Sequence, residues 1–105
     1  MSKEFIQILV SFPSKSSADK VAKKILQERL AGCIQIFPIS SKFWWKGKIE
    51  ITKEWLCFIK TKKILYKKVE KLVKELHPYT VPEIISFKIE NGNKDYLKWL
   101  LEETK

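Results

Sequence analysis

One histidine, two cysteines and a short proline-stiffened run hold most of the chemistry available to this sequence. The histidine stands in His77-Pro78-Tyr79-Thr80-Val81-Pro82-Glu83. Each proline fixes its own φ and pushes the preceding residue towards an extended conformation, so the backbone around His77 and Tyr79 holds one shape. Binding and catalytic side chains concentrate on such positioned connections. Imidazole here has two readings: a metal ligand, or a residue that finishes a helix or sits in an interface. A helix also ends before a proline for geometric reasons alone.

Other catalytic arrangements are missing. No Gly-rich phosphate loop, nucleophile elbow or Ser/His/Asp order occurs. A single imidazole among scattered carboxylates makes no acid–base pair, so the chain does not read as an enzyme. Glu50 and Glu54 read as solvated strand positions and Trp55 as a strand-core residue. Cys33 and Cys57 lack the close spacing of zinc or thiol-redox motifs and sit in apolar runs, where a free thiol acts as a small hydrophobe. If their strands form a hairpin about Lys46-Gly47, position 33 pairs near 60, and alternation points Cys57 to the opposite face. A disulfide is not expected. A bulge near Pro38 would undo this parity.

The 105 residues carry 21 basic and 12 acidic side chains, a formal charge of +9. Such an excess invites nucleic acid as a partner. Arg29 is the only arginine, however, and base reading and phosphate clamping lean on arginine forks. The lysines at 60, 62, 63, 67, 68, 71 and 74 cluster mostly around one helix without interleaved aromatics, which describes a solvated face. Lysine and glutamate enrichment is also a mark of heat-adapted proteins.

The length fits one domain spanning 1–105, which buries roughly 65% of its unfolded surface. No apolar run reaches the roughly 18 residues of a membrane span. Met1-Ser2-Lys3-Glu4-Phe5 runs straight into strand-like sequence without a cleavable signal pattern, so the expected location is cytoplasmic.

The elements that must position these groups follow from hydrophobic period. Phe5 to Phe12 is a β-branched and aromatic run ended by Pro13, a strand covered on both faces or nearly so. Ala18, Val21, Ala22, Ile25, Leu26 and Leu30 then share one helical face. Ser16-Ser17-Ala18-Asp19 offers a capping box, and Gly32 a left-handed stop. Cys33 to Trp45 is strand-like, bent or interrupted around Pro38. Lys46-Gly47 is a turn, and Ile49 to Thr61 returns as a strand.

This hairpin is long for its class and carries Phe43, Trp44, Trp45 and Ile49 at its tip. So much apolar surface calls for another copy of the chain to cover it. Leu65, Val69, Leu72, Val73 and Leu76 mark a second helix ended by Pro78. Glu83 to Ile89 forms a fourth strand, and Asn93 caps a final helix with Tyr96, Leu97, Leu100 and Leu101. The order is βαββαβ plus a C-terminal helix: an α+β, ferredoxin-like sandwich with an extended β-hairpin.

With these elements placed, the sequence resembles the CutA family of divalent-cation-tolerance proteins. Four stretches carry the likeness: Phe12-Pro13-Ser14, Glu28-Arg29-Leu30-Ala31-Gly32-Cys33, Trp44-Trp45-Lys46-Gly47-Lys48-Ile49, and Glu75 to Ile84 around His77. Asp95-Tyr96-Leu97-Lys98-Trp99-Leu100 also matches. The resemblance implies a homotrimer arranged like the PII signalling proteins, with hairpins reaching across subunits. It implies a role in tolerance of copper (Cu2+) or another divalent cation, and no catalysis. Trp44, Trp45, Tyr79 and Trp99 become expected interface residues. His77, Cys33 and Glu83 become the candidate metal ligands. The family's proposed copper ligands include a cysteine at the end of the first strand, where Val10 or Ser11 stands here, and a histidine before the His-Pro-Tyr motif. An alternative function is a PII-like signalling or scaffold module that binds a small molecule or protein in intersubunit clefts.

Overall fold

The computed structural model describes residues 4–105, so the expected reading of Met1–Lys3 lies outside the described residues. The elements run β1 (Phe5–Phe12), α1 (Lys15–Gln27), β2 (Cys33–Trp45), β3 (Lys48–Lys62), a 3-10 turn (Lys63–Leu65), α2 (Tyr66–Leu76), β4 (Ile84–Ile89) and α3 (Lys94–Glu103). The sheet is antiparallel throughout with strand order β2-β3-β1-β4, the ferredoxin-like topology.

Strand alternation builds the core. Ile6, Ile8, Val10 and Phe12 of β1 and Cys57 and Ile59 of β3 turn one face to the helices. Ala18, Val21 and Ile25 of α1 and Val69 and Val73 of α2 close over it. Trp55 is partly buried against this core, as expected for a strand-core residue. Leu26 and Leu76, placed by period on the apolar faces, remain exposed at the helix ends.

The β2–β3 register is uniform from Cys33↔Lys60 to Trp45↔Lys48, so no bulge forms at Pro38 and the strand runs through it uninterrupted. An edge strand tolerates proline because one of its margins has no ladder to complete. Parity therefore holds: Cys33 and Cys57 lie on opposite faces, and both are free thiols. Lys46 (φ 51°) and Gly47 (φ 79°) make a two-residue turn with both φ values positive, which matches the right-handed twist of the flanking strands. The last β1–β3 pair is Phe12↔Trp55. Beyond it the hairpin continues alone, giving the domain its 47 Å long axis against 25 and 21 Å for the others.

Two helix boundaries differ from expectation. The N-cap of α1 is Ser14, whose hydroxyl accepts from the Ser17 N–H at 3.1 Å. Asp19 instead pairs with Lys15 at 2.9 Å, so no Ser16–Asp19 box forms. Where β1 ends decides which serine sits at the helix mouth. At the other end the left-handed residue is Arg29 (φ 57°), not Gly32. Arg29 N–H reaches the Leu26 carbonyl and Leu30 N–H the Ile25 carbonyl, closing a Schellman motif. Gly32 is needed for space, since a Cβ there would stand 2.6 Å from Leu100 Cδ1. Arg29 also donates to Glu103, tying down the C-terminal helix that Asn93 caps through the Tyr96 N–H.

Candidate functional site

The proline-stiffened segment lies where β1 ends and the projecting hairpin begins. His77 caps α2 with its own N–H on the Val73 carbonyl, then adopts extended backbone ahead of Pro78. Its ring is 8% exposed and stacks on Phe12 with centroids 4.5 Å apart. Nδ1 accepts the Tyr79 N–H at 3.0 Å, and Nε2 faces the Ser11 carbonyl at 2.7 Å. An acceptor Nδ1 and a donor Nε2 define one neutral tautomer. Burial lowers the imidazole pKa below its ordinary 6.5, against smaller opposing effects of the Ser11 carbonyl and the Glu54 charge.

The fixed backbone carries Tyr79 back over the hairpin. Its phenol donates to Glu54 Oε2 at 2.8 Å. Burial first, then that hydrogen bond and the carboxylate charge, push the phenol up to about 12, so it stays a donor. Glu54 is 4% exposed. It was expected to be a solvated strand residue, and the structure corrects this. The alternation that puts Leu56 and Phe58 on the same face of β3 was the available signal. Ser11, one of the two residues at the position of the family's first-strand cysteine, presents its carbonyl to His77 and its hydroxyl to Glu83 Oε1 at 3.4 Å.

These groups border a cleft of about 930 Å³ between the hairpin and the 78–83 segment. Phe43, Trp45 and Tyr79 supply its aromatic surface, and Glu50, Glu54 and Glu83 its carboxylates.

The expected metal set does not assemble within one chain. Among the described residues, no group of three or more His, Cys, Asp and Glu could hold an ion. Both ring nitrogens of His77 are engaged, leaving no lone pair for a metal in this conformation. Cys33 opens β2 beside Lys60, whereas Ser11 pairs with Leu56 four residues along β3. Its neighbour is Tyr96 of α3, whose phenol is raised by burial and then by Cys33. Only Glu83 shares the neighbourhood of His77, through Ser11. Thus one chain does not by itself fit the metal that the resemblance implies.

The expected interface residues divide. Trp44 is 72% exposed at the hairpin, while Trp45 and Trp99 are also exposed. Tyr79 is half-buried and already engaged within its own chain.

Comparison with known proteins supplies the family. The sequence matches the CutA1 divalent ion tolerance proteins over residues 6–103. The chain belongs to that family. It is 45% identical over 100 residues to the divalent-cation tolerance protein CutA of Pyrococcus horikoshii, covering 95% of this chain and 98% of the relative. The structure of a periplasmic divalent cation tolerance protein CutA from Archaeoglobus fulgidus superposes with a TM-score of 0.95 at 40% identity, covering 96% and 99% of the two chains. CutA1 from Oryza sativa gives 0.95 at 39% identity, covering 97% and 94%. Family membership supports a role in divalent-cation tolerance, and the shared fold places the long hairpin and the His-Pro-Tyr segment in a CutA frame.

Proposed function

We propose that this chain is one subunit of a homotrimeric, non-enzymatic divalent-cation tolerance protein, and that cation ligands come from more than one copy. The observation that carries the proposal is the apolar surface a single chain leaves uncovered. Trp44 (72% exposed), Ile51 (67%) and Ile49 (60%) line the projecting hairpin, and Phe37 and Phe87 lie on the sheet face away from α1 and α2. These residues leave apolar surface bare on both faces of the sheet, and large exposed apolar surface is the mark of a protein interface. The family resemblance supports a copy number of three. The absence of a three-ligand cluster among the described residues agrees with ligands shared between copies. Glu83 remains the carboxylate that a neighbouring chain could join, with copper or another divalent cation as the ion.

Light scattering on purified protein at micromolar concentration tests the assembly. Three times the chain mass is expected, and a monomer would overturn it. Titration with Cu(II) and Mn(II) of wild type, Glu83→Gln and His77→Phe tests the ligands. A whole number of sites per trimer, weakened by the Glu83 change and kept in the His77 variant, is expected. Loss only on changing His77 would return that residue to the ligand set. A cytoplasmic location is part of the same proposal, supported by two free thiols set on opposite sheet faces. Cell fractionation decides between this and the periplasm.

A further inference from the structure

We propose that the outer face of α1 and α2 docks on an anionic lipid surface, with lysines meeting the headgroups and Ile64 entering the interface. This goes beyond cation tolerance and uses the helix-covered side of the molecule. The assembly proposed above covers the projecting hairpin and the helix-free sheet face, and leaves this side exposed. α1 and α2 lie next to each other there. Ala18, Val21, Ala22 and Ile25 turn inward from α1, and Val69 and Val73 from α2. Helical spacing therefore aims Lys20 and Lys23 outward from one helix and Lys67, Lys71 and Lys74 from the other, all exposed. None of these, nor Lys68 beside them, has an ion pair among the described residues. The nearby acidic groups are engaged elsewhere: Asp19 with Lys15, Glu28 with Lys24 and Glu70 with the Tyr66 phenol. That leaves Glu75 against these lysines.

A face that served only solubility or heat resistance would mix the two signs. Here lysine follows lysine at helical spacing, as in Lys20–Lys23, Lys67–Lys71 and Lys71–Lys74, and like charges so placed destabilise a helix. Neither helix has an acidic residue in its first turn, where the helix dipole favours one, and Lys15 and Lys67 stand there instead. The concentrated positive charge works against folding, and an external anionic surface offsets it. Side-chain types then choose a bilayer over nucleic acid. A lysine is a point charge that needs no fixed geometry, which suits mobile headgroups, and the lone Arg29 is tied to Glu103. No aromatic ring is offered for stacking on bases, since α1 has none and Tyr66 of α2 packs on the core. Ile64, in the 3-10 turn that opens α2, is 78% exposed between Lys63 and Lys67. An apolar side chain flanked by lysines gains nothing from a phosphate backbone, but it gains burial at the boundary of headgroups and acyl chains.

Co-sedimentation of the full chain with phosphatidylcholine vesicles, with and without phosphatidylglycerol, tests this. Binding is expected only with the anionic lipid, and it should weaken as NaCl is raised. Lys67→Gln/Lys71→Gln removes two charges from the face and should weaken binding at least about tenfold. The same variant should keep or raise the thermal midpoint, because a like-charge pair is lost. Lys94→Gln/Lys98→Gln removes the same net charge from exposed positions on α3 and should leave binding nearly unchanged. Ile64→Ser should remove the part of the binding that survives salt. Equal losses from the α2 and α3 changes would mean that net charge alone acts, and a lowered midpoint would make the lysines stability residues; either result overturns the proposal. So does binding to neutral vesicles, or no binding to anionic ones. A short DNA duplex that binds more tightly than the vesicles and is indifferent to Ile64→Ser would assign the face to nucleic acid instead. Light scattering on each sample records the oligomeric state, so a failed assembly and a failed lipid surface are read separately.

Discussion

Replacing His77 with phenylalanine isolates what the two ring nitrogens contribute. Phenylalanine keeps an aromatic ring against Phe12, where the imidazole stacks at 4.5 Å, and opens no cavity. It removes the partners of the Ser11 carbonyl and the Tyr79 N–H, bonded at 2.7 and 3.0 Å. A buried polar group left without its partner costs about 1–3 kcal/mol, so the pair predicts a loss of about 2–6 kcal/mol. Guanidinium unfolding at one fixed protein concentration reads this as a lower midpoint with an unchanged slope.

The pH dependence provides the second readout. Burial holds the folded pKa of His77 below 6.5, so in the window beneath 6.5 the unfolded chain binds more protons than the folded one. The stabilisation is complete above that value and is lost as pH falls through the folded pKa. Because His77 is the only histidine, a decline in stability between about pH 7 and 5, above most carboxylate titration, belongs to it. The His77→Phe protein should show a flatter profile there. A loss below about 0.5 kcal/mol, the range of an ordinary surface change, or an identical pH slope in both proteins would refute the assigned tautomer.

Tyr79→Phe deletes the 2.8 Å bond to Glu54 and should cost about 1.5–3 kcal/mol by the same unfolding assay, as hydrogen bonds to charged groups do. In wild type the Tyr79 phenol should ionise only near pH 12 in a spectrophotometric titration, provided the fold persists there. Cys57, buried with its thiol pushed up to about 12 by desolvation and then by Asp19, should resist alkylation at pH 8 under native conditions. Half-buried Cys33 should be labelled first, as peptide mass spectrometry would show. Gly32→Ala forces a Cβ within 2.6 Å of Leu100 Cδ1 and should destabilise by about 1–3 kcal/mol in thermal melts, with α3 loosened in hydrogen exchange.

What the sequence by itself determined is whatever depends on neighbours along the chain. Runs of β-branched and aromatic residues bounded by proline and turn signals marked the strands, 3.6-residue spacing marked the helices, and Lys46-Gly47 set a register running unbroken to Cys33↔Lys60. Asn93 was legible as a cap because its partner N–H is three residues on. Two local signals misled because local chemistry was degenerate. Three serines could each have capped α1, and both Arg29 and Gly32 stood where a helix could stop. The choice fell to strand length and to the space beneath Leu100.

The site itself was decided only by tertiary structure. Glu54 becomes buried because Tyr79, 25 residues later, is laid across it. His77 loses both nitrogens to Ser11, 66 residues earlier, and to Tyr79. Cys33 and His77 looked like companions in a list of metal-binding residue types, yet the sheet holds them near different ends of its strands. Residue type supplies the chemistry a side chain could perform. Burial, and the hydrogen bonds that burial makes obligatory, select what it does.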